Sequence, residues 1–317
     1  MNKKVLVISY SQSGQLNELC HNIVIPLQES NDVDVTIKQI TPLKPYPFPW
    51  DFITFMDCFP ESVYLDPPLI ETLEDNEEYD LVILCYQVWF LSPSLPITAF
   101  LKSEYAQKKL KNKPVITVIG CRNMWIMAQE KVKQLLLEIE AKLIDNIVLI
   151  DQGNSLATFV TTPRWMLTGK RDSLWGIFPE AGIAQKELDN ANRFGKAILK
   201  GLQENKEKEF KPLCQGLKAV NVDVTLIKSE QIATKSFMIW GKLIRKIGKQ
   251  GSKKRRPVVM LYVLFLLLII LTIVPLNMLI QTILRKINKD KIMKQKEFYE
   301  LPSGSGIQRL KEYTSDE

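Results

Sequence analysis

The 317-residue chain is 46% hydrophobic, enough to bury a full core in one generous domain or two small ones. Its formal charge of +7 does not mark a nucleic-acid binder, because residues 1–236 hold 26 Lys and Arg against 29 Asp and Glu and the whole basic excess lies beyond them. The single histidine, His21, excludes a multi-histidine metal site, and its helical surroundings give it no catalytic role.

In chain order, apolar strand-like runs alternate with helical patterns, the mark of βαβ units and a mostly parallel sheet covered on both faces. Strands are expected at residues 4–10, 34–40, 81–86, 114–120 and 146–151, and helices at 15–27, 96–106, 125–143 and 180–202. Two long excursions, about 41–70 and 152–179, are too rich in proline and exposed aromatics for a sheet interior and read as lids or binding loops. A short β-like run, LKAVNVDVTLI, follows a polar link at 204–211. Residues 229–247 then set Phe237, Ile239, Trp240, Leu243, Ile244 and Ile247 on roughly one face of an amphipathic helix.

Residues 257–284 hold no charged side chain and are long enough, at about 1.5 Å per residue, to cross roughly 30 Å of hydrocarbon. Lys253, Lys254, Arg255 and Arg256 precede the run, and Arg285, Lys286, Lys289 and Lys291 follow it. A lipid bilayer is the expected partner, through one Pro-kinked span or through a re-entrant hairpin turning near Pro275 and Asn277. The expected order is therefore a domain at 1–203, a basic linker with a juxtamembrane helix at 204–256, a transmembrane segment at 257–284 and a polar tail at 285–317. From five scattered cysteines and an N-terminus without a signal-peptide pattern, the domain is expected on the cytoplasmic face of a cell membrane.

Chemistry concentrates at three strand ends. In VLVISYSQSGQLNEL, a strand gives way to Ser11, Gln12, Ser13, Gly14 and Gln15 and then to a helix. Hydroxyls, an unhindered glycine and free helix N–H groups suit a phosphate without any lysine. The loop resembles the first loop of the flavodoxin-like superfamily, Ser/Thr-x-Ser/Thr-Gly-Asn/Gln-Thr, which binds the phosphate of flavin mononucleotide; Leu16 stands where that pattern has Thr.

The stretch YDLVILCYQVWFLSPSLPITAFLKS resembles the third-strand signature of the same superfamily, which would set Tyr86, Gln87, Val88, Trp89 and Phe90 beside the isoalloxazine ring. KPVITVIGCRNMW would bring Gly120, Cys121, Arg122, Asn123 and Trp125 to the ring's other side, with Arg122 steadying a reduced, anionic ring. The resemblance implies an α/β fold, a flavodoxin-like doubly wound five-stranded parallel sheet, with FMN as cofactor and a C-terminal transmembrane helix appended.

More narrowly, the YQVWFLSPS and IGCRNMW motifs with a basic, apolar C-terminus resemble flavodoxin-like bacterial proteins known as dialkylresorcinol condensing enzymes. That resemblance implies FMN-dependent aromatisation of a dialkyl cyclohexanedione, a hydrophobic substrate, with a ketosynthase as partner. A quinone or electron-transfer reductase and a flavin-free membrane scaffold are the alternatives. Asp51, Asp57 and Glu61 are candidate proton acceptors in the first excursion, and Arg164, Trp165 and Lys170 are candidate contacts to the dione oxygens in the second.

Overall fold

The computed structural model describes residues 2–287 and 289–313. Five parallel strands, β1 (Lys3–Ser9), β2 (Val33–Gln39), β3 (Leu81–Trp89), β5 (Pro114–Cys121) and β6 (Lys142–Ile150), form a sheet in the order β2-β1-β3-β5-β6. A two-residue β4 (Ser92–Pro93), not foreseen in the sequence, folds back antiparallel onto the end of β3. The parallel order, with its reversal beside β1, is the flavodoxin-like doubly wound arrangement. β3 is apolar along its length because a central parallel strand is covered on both faces, and Leu81–Tyr86 are all fully buried.

Helix α1 (Gln15–Gln28) follows β1. The first excursion is not an open loop: Asp51 caps α2 (Phe52–Asp57) by accepting the Thr54 N–H at 2.9 Å, and α3 (Phe59–Tyr64) follows directly. The helix expected at 96–106 is two, α4 (Leu95–Leu101) and α5 (Glu104–Leu110), because Ser103 breaks the first and caps the second. The helix expected at 125–143 is α6 (Ile126–Glu138), which stops early, and β6 starts at Lys142 rather than 146.

The second excursion contains α7 (Thr158–Thr168). The helix expected at 180–202 is a short α8 (Gln185–Asp189) and then α9 (Asn192–Gln203), which packs on α1. The β-like run near 217–227 adds no strand; it lies along the β6 edge, where Val148 N–H donates to Ala219 O at 2.8 Å.

The amphipathic helix is α10 (Ile227–Ile247); Phe237, Trp240 and Ile244 pack with Phe59 and Val63 of α3, whereas Ile239 and Leu243 of the expected apolar face are exposed. Then come α11 (Arg256–Ile287), α12 (Lys289–Glu300) and α13 (Leu310–Tyr313). Among the described residues one apolar stretch, Lys253–Thr272, is long and apolar enough to cross a membrane by length and composition. Its backbone continues helically through 275–277, without the hairpin turn entertained there. Arg285 and Lys286 lie outside the residues whose side chains are described, and residues 314–317 lie outside the described residues.

Candidate functional site

The carboxyl ends of β1, β3, β5 and β6 surround a cleft of about 160 Å³, at the point where the strand order reverses. Gln12, Ser13 and Gln15 line it from the first loop, Gln87, Val88, Trp89 and Phe90 from the end of β3, and Gly120, Cys121 and Arg122 from the end of β5. The three motif loops therefore meet at one place.

The first loop is held from several sides. Gly14 adopts φ +87° at the N-terminus of α1, and its N–H donates to Ser11 Oγ at 3.1 Å. Gln12 N–H donates to Gln87 Oε1 at 2.9 Å, and Gln12 Nε2 donates to Pro47 O at 2.7 Å, which ties the loop to β3 and to the first excursion. Gln15 turns inward, exchanging hydrogen bonds with the backbone of Ile183 (2.9 and 3.2 Å). The N–H groups of Ser13, Gln15 and Leu16 meet no acceptor among the described residues, as expected of a helix start. Leu16 is core: it is 1% exposed and lies under Gly120, where a Cβ would stand 3.2 Å from its Cδ1.

Five motif residues are not on the cleft wall: Ser11 and Gly14 stay within the first loop, and Tyr86, Asn123 and Trp125 lie farther off. β3 runs three residues past Tyr86, so that ring lies within the covered length of the strand, where its hydroxyl bonds Gln129 Oε1 at 2.5 Å. Trp125 is buried ahead of α6, and Asn123 reaches sideways to donate to Ser155 Oγ at 3.0 Å.

The excursions supply walls that the strand ends did not announce. Phe48, Trp50 and Phe55 come from the first, and Thr162, Trp165 and Met166 from the second. Trp50 is 3% exposed and its indole N–H is without a partner among the described residues, a buried donor at the cleft wall. Tyr10, Tyr46, Trp50 and Trp89 pack edge to face with centroids 5.1–6.0 Å apart, a rigid apolar side.

Asp151, at the foot of the cleft, accepts the Gly153 and Gly182 N–H groups at 2.8 and 2.6 Å, and burial pushes its carboxyl upward. Burial lowers the Arg122 guanidinium to about 10, and its plane lies over the Phe159 ring at 4.0 Å. Arg122 thus stays cationic at neutral pH.

The carboxylates considered as proton acceptors have structural work instead. Asp51 is the α2 cap. Asp57 and Glu61 are buried, not solvated: Arg255 Nε donates to Asp57 Oδ1 at 2.5 Å, and its two terminal nitrogens donate to Glu61 Oε1 and Oε2 at 2.8 Å each. Arg164 is taken up by Asp172 at 3.0 Å, Lys170 is exposed, and of that trio Trp165 alone lines the cleft.

No family model matches the chain, and no curated protein matches it. Among solved structures, a flavoprotein from Lactobacillus acidophilus NCFM in complex with FMN is 16% identical, with 47% of this chain and 93% of that one covered and a TM-score of 0.38. Oxidised flavodoxin 1 from Bacillus cereus is 15% identical over 62% of this chain and 98% of its own, at a TM-score of 0.34. A flavodoxin from the domain Archaea is 12% identical over 63% and 99%, at 0.33. These neighbours are flavodoxin-like flavoproteins; the fold assignment here rests on the strand order of the sheet itself.

Proposed function

We propose that the chain is an FMN-dependent oxidoreductase working at a membrane surface, in the aromatisation of a dialkyl cyclohexanedione to a dialkylresorcinol. The observation that carries the flavin part is the convergence of a lysine-free phosphate-type turn and the β3 and β5 loops on one aromatic-walled cleft. The donor set suits the group: free N–H groups at Ser13, Gln15 and Leu16 with the Ser11 and Ser13 hydroxyls would hold a phosphate dianion, and the Trp50 N–H is a spare donor. At about 160 Å³ the cleft is narrower than the ~300 Å³ at the low end of cofactor sites. The two excursions therefore have to part for a ring to enter.

When bound, FMN would accept the two electrons lost as the ring becomes aromatic. The chain's own residues orient and enclose. Trp89 and Trp50 exclude water from one side, Arg122 sets a positive charge near the ring edge, and Phe48, Phe55, Trp165 and Met166 offer apolar surface to alkyl chains. An apolar product belongs in lipid, which supports the membrane as partner; a ketosynthase as supplier comes from the narrower resemblance alone.

The narrow cleft and Leu16 favour a second reading, a flavodoxin-like scaffold without flavin. Absorbance of the detergent-purified full chain before and after incubation with FMN separates the two: yellow, stoichiometric protein is expected, and a chain that stays colourless after reconstitution removes the redox reading. Bleaching by a dialkyl cyclohexanedione, compared with bleaching by a reduced nicotinamide, then separates the aromatase from a quinone or electron-transfer reductase.

A further inference from the structure

The described outer face of α11 is apolar and open. Met260, Leu261, Leu264, Leu267, Leu268 and Leu271 are 38–76% exposed, at helical spacing. The inner face is held by the domain: Val259, Tyr262 and Val263 are buried against Phe59, Phe237, Trp240 and Ile244. Beside it, α10 exposes Ile239 and Leu243 with Lys242 and Lys246 among them. Exposed Lys249, Lys253, Lys254 and Arg256 form a basic border at the start of α11. Leucines with interspersed and bordering lysines are complementary to an anionic phospholipid surface.

The chain beyond α11 comes back to the same domain. Glu300 Oε1 accepts the Val222 N–H at 3.1 Å, and Ser303 Oγ, fully buried, donates to Asp145 Oδ1 at 2.6 Å while accepting the Asn146 N–H at 2.7 Å. Lys218 N–H donates to Gly306 O at 2.7 Å, Arg309 N–H to Gly216 O at 2.9 Å, and the Arg309 side chain to Leu213 O at 2.9 Å. The tail is thus fastened at and beside β6.

A crossing of α11 is incompatible with that fastening. Return from the far side would fall to α12, whose twelve residues reach about 18 Å where about 30 Å of hydrocarbon must be recrossed. Its sequence KDKIMKQKEFYE carries seven charged side chains into a medium that admits none unpaired.

We propose that α10 and α11 rest on one leaflet of an anionic membrane, with both ends of the apolar segment on the domain's side, so that the protein is monotopic rather than spanning. This rests on the membrane reading above and replaces its topology.

The test uses the full chain with cysteine placed at exposed Lys196→Cys in α9 and Lys311→Cys in the tail, and an impermeant maleimide applied to intact and then permeabilised expressing cells. Both positions are expected to be protected together and labelled together. Labelling of Lys311→Cys in intact cells while Lys196→Cys stays protected overturns the monotopic arrangement but leaves membrane attachment standing. In parallel, purified protein is sedimented with phosphatidylglycerol vesicles. The Leu264→Glu/Leu268→Glu variant, with an unchanged circular dichroism spectrum, is expected to bind at least tenfold more weakly. Equal binding by both forms, or no binding by the parent chain, overturns the lipid surface itself; the second outcome coupled with a stable dimer assigns the face to another copy.

Discussion

Gln87 Oε1 accepts the N–H of Gln12 at 2.9 Å, so a side chain at the end of β3 fixes the backbone of the loop after β1, 75 residues earlier. Removing that acceptor with Gln87→Leu frees the loop without disturbing the sheet. FMN affinity is expected to fall about five- to tenfold, the worth of one hydrogen bond of ~1 kcal/mol, measured by fluorescence quenching on titration.

Ser13 stands on the cleft wall, its main-chain N–H without a partner among the described residues. Ser13→Glu would aim a carboxylate at a bound phosphate. Flavin retention should drop by a hundredfold or more, with thermal stability within a degree or two of the parent because the residue is half-exposed loop.

Arg255 is fully buried between Asp57 and Glu61. Arg255→Met strands two carboxylates in the interior and should cost about 3–5 kcal/mol in urea unfolding. The triple variant that adds Asp57→Asn and Glu61→Gln should recover much of the loss, since the unpaired charges cause it. No recovery would mean that packing by the arginine stem dominates.

Glu230 accepts the Met127 N–H at 3.0 Å, and burial pushes its carboxyl up to about 7. Burial likewise raises Asp145 to about 6. Both groups bind a proton more tightly in the folded chain than in the unfolded one, so between about pH 4.5 and 7 their contribution to stability falls as pH rises. Glu230→Gln should flatten the stability–pH slope across that window by an amount on the order of 1–3 kcal/mol. An unaltered slope would show that the carboxylate is ionised throughout.

Gly195 lets α9 approach α1 so closely that a Cβ there would lie 2.0 Å from Ile23 O. Gly195→Ala must push the helices apart and is expected to lower stability by about 2 kcal/mol, read as a shift in the unfolding midpoint at constant m-value.

The five parallel strands were legible because buried strands are written as unbroken apolar runs, and each expected strand overlaps an observed one. The start of β6 was not. Lys142 and Asp145 look like turn residues, yet Asp145 accepts N–H groups from Leu213 and Cys214, at 2.6 and 3.0 Å, and the Ser303 hydroxyl. Partners up to 158 residues away make a buried aspartate tolerable, and local sequence holds no trace of them.

At the cleft, the strand-end residues were named through the motif resemblance, and most of them line its wall. Tyr86 was displaced because β3 continues to Trp89, which leaves Tyr86 inside the covered length of the strand and moves the loop three residues on. Trp50, Phe55 and Met166 went unassigned because the path of a long excursion is decided by what it folds against.

Phe59 is gripped from two directions: its ring stacks on Tyr262 of α11 at 4.2 Å and 9°, and meets Phe90 at 5.2 Å, which in turn meets Phe55 at 4.9 Å. Close-packed rings transmit displacement rather than absorb it. A molecule that wedges open the cavity bordered by Phe55 and Phe90 is therefore expected to shift the seating of α11 through Phe59 and Tyr262.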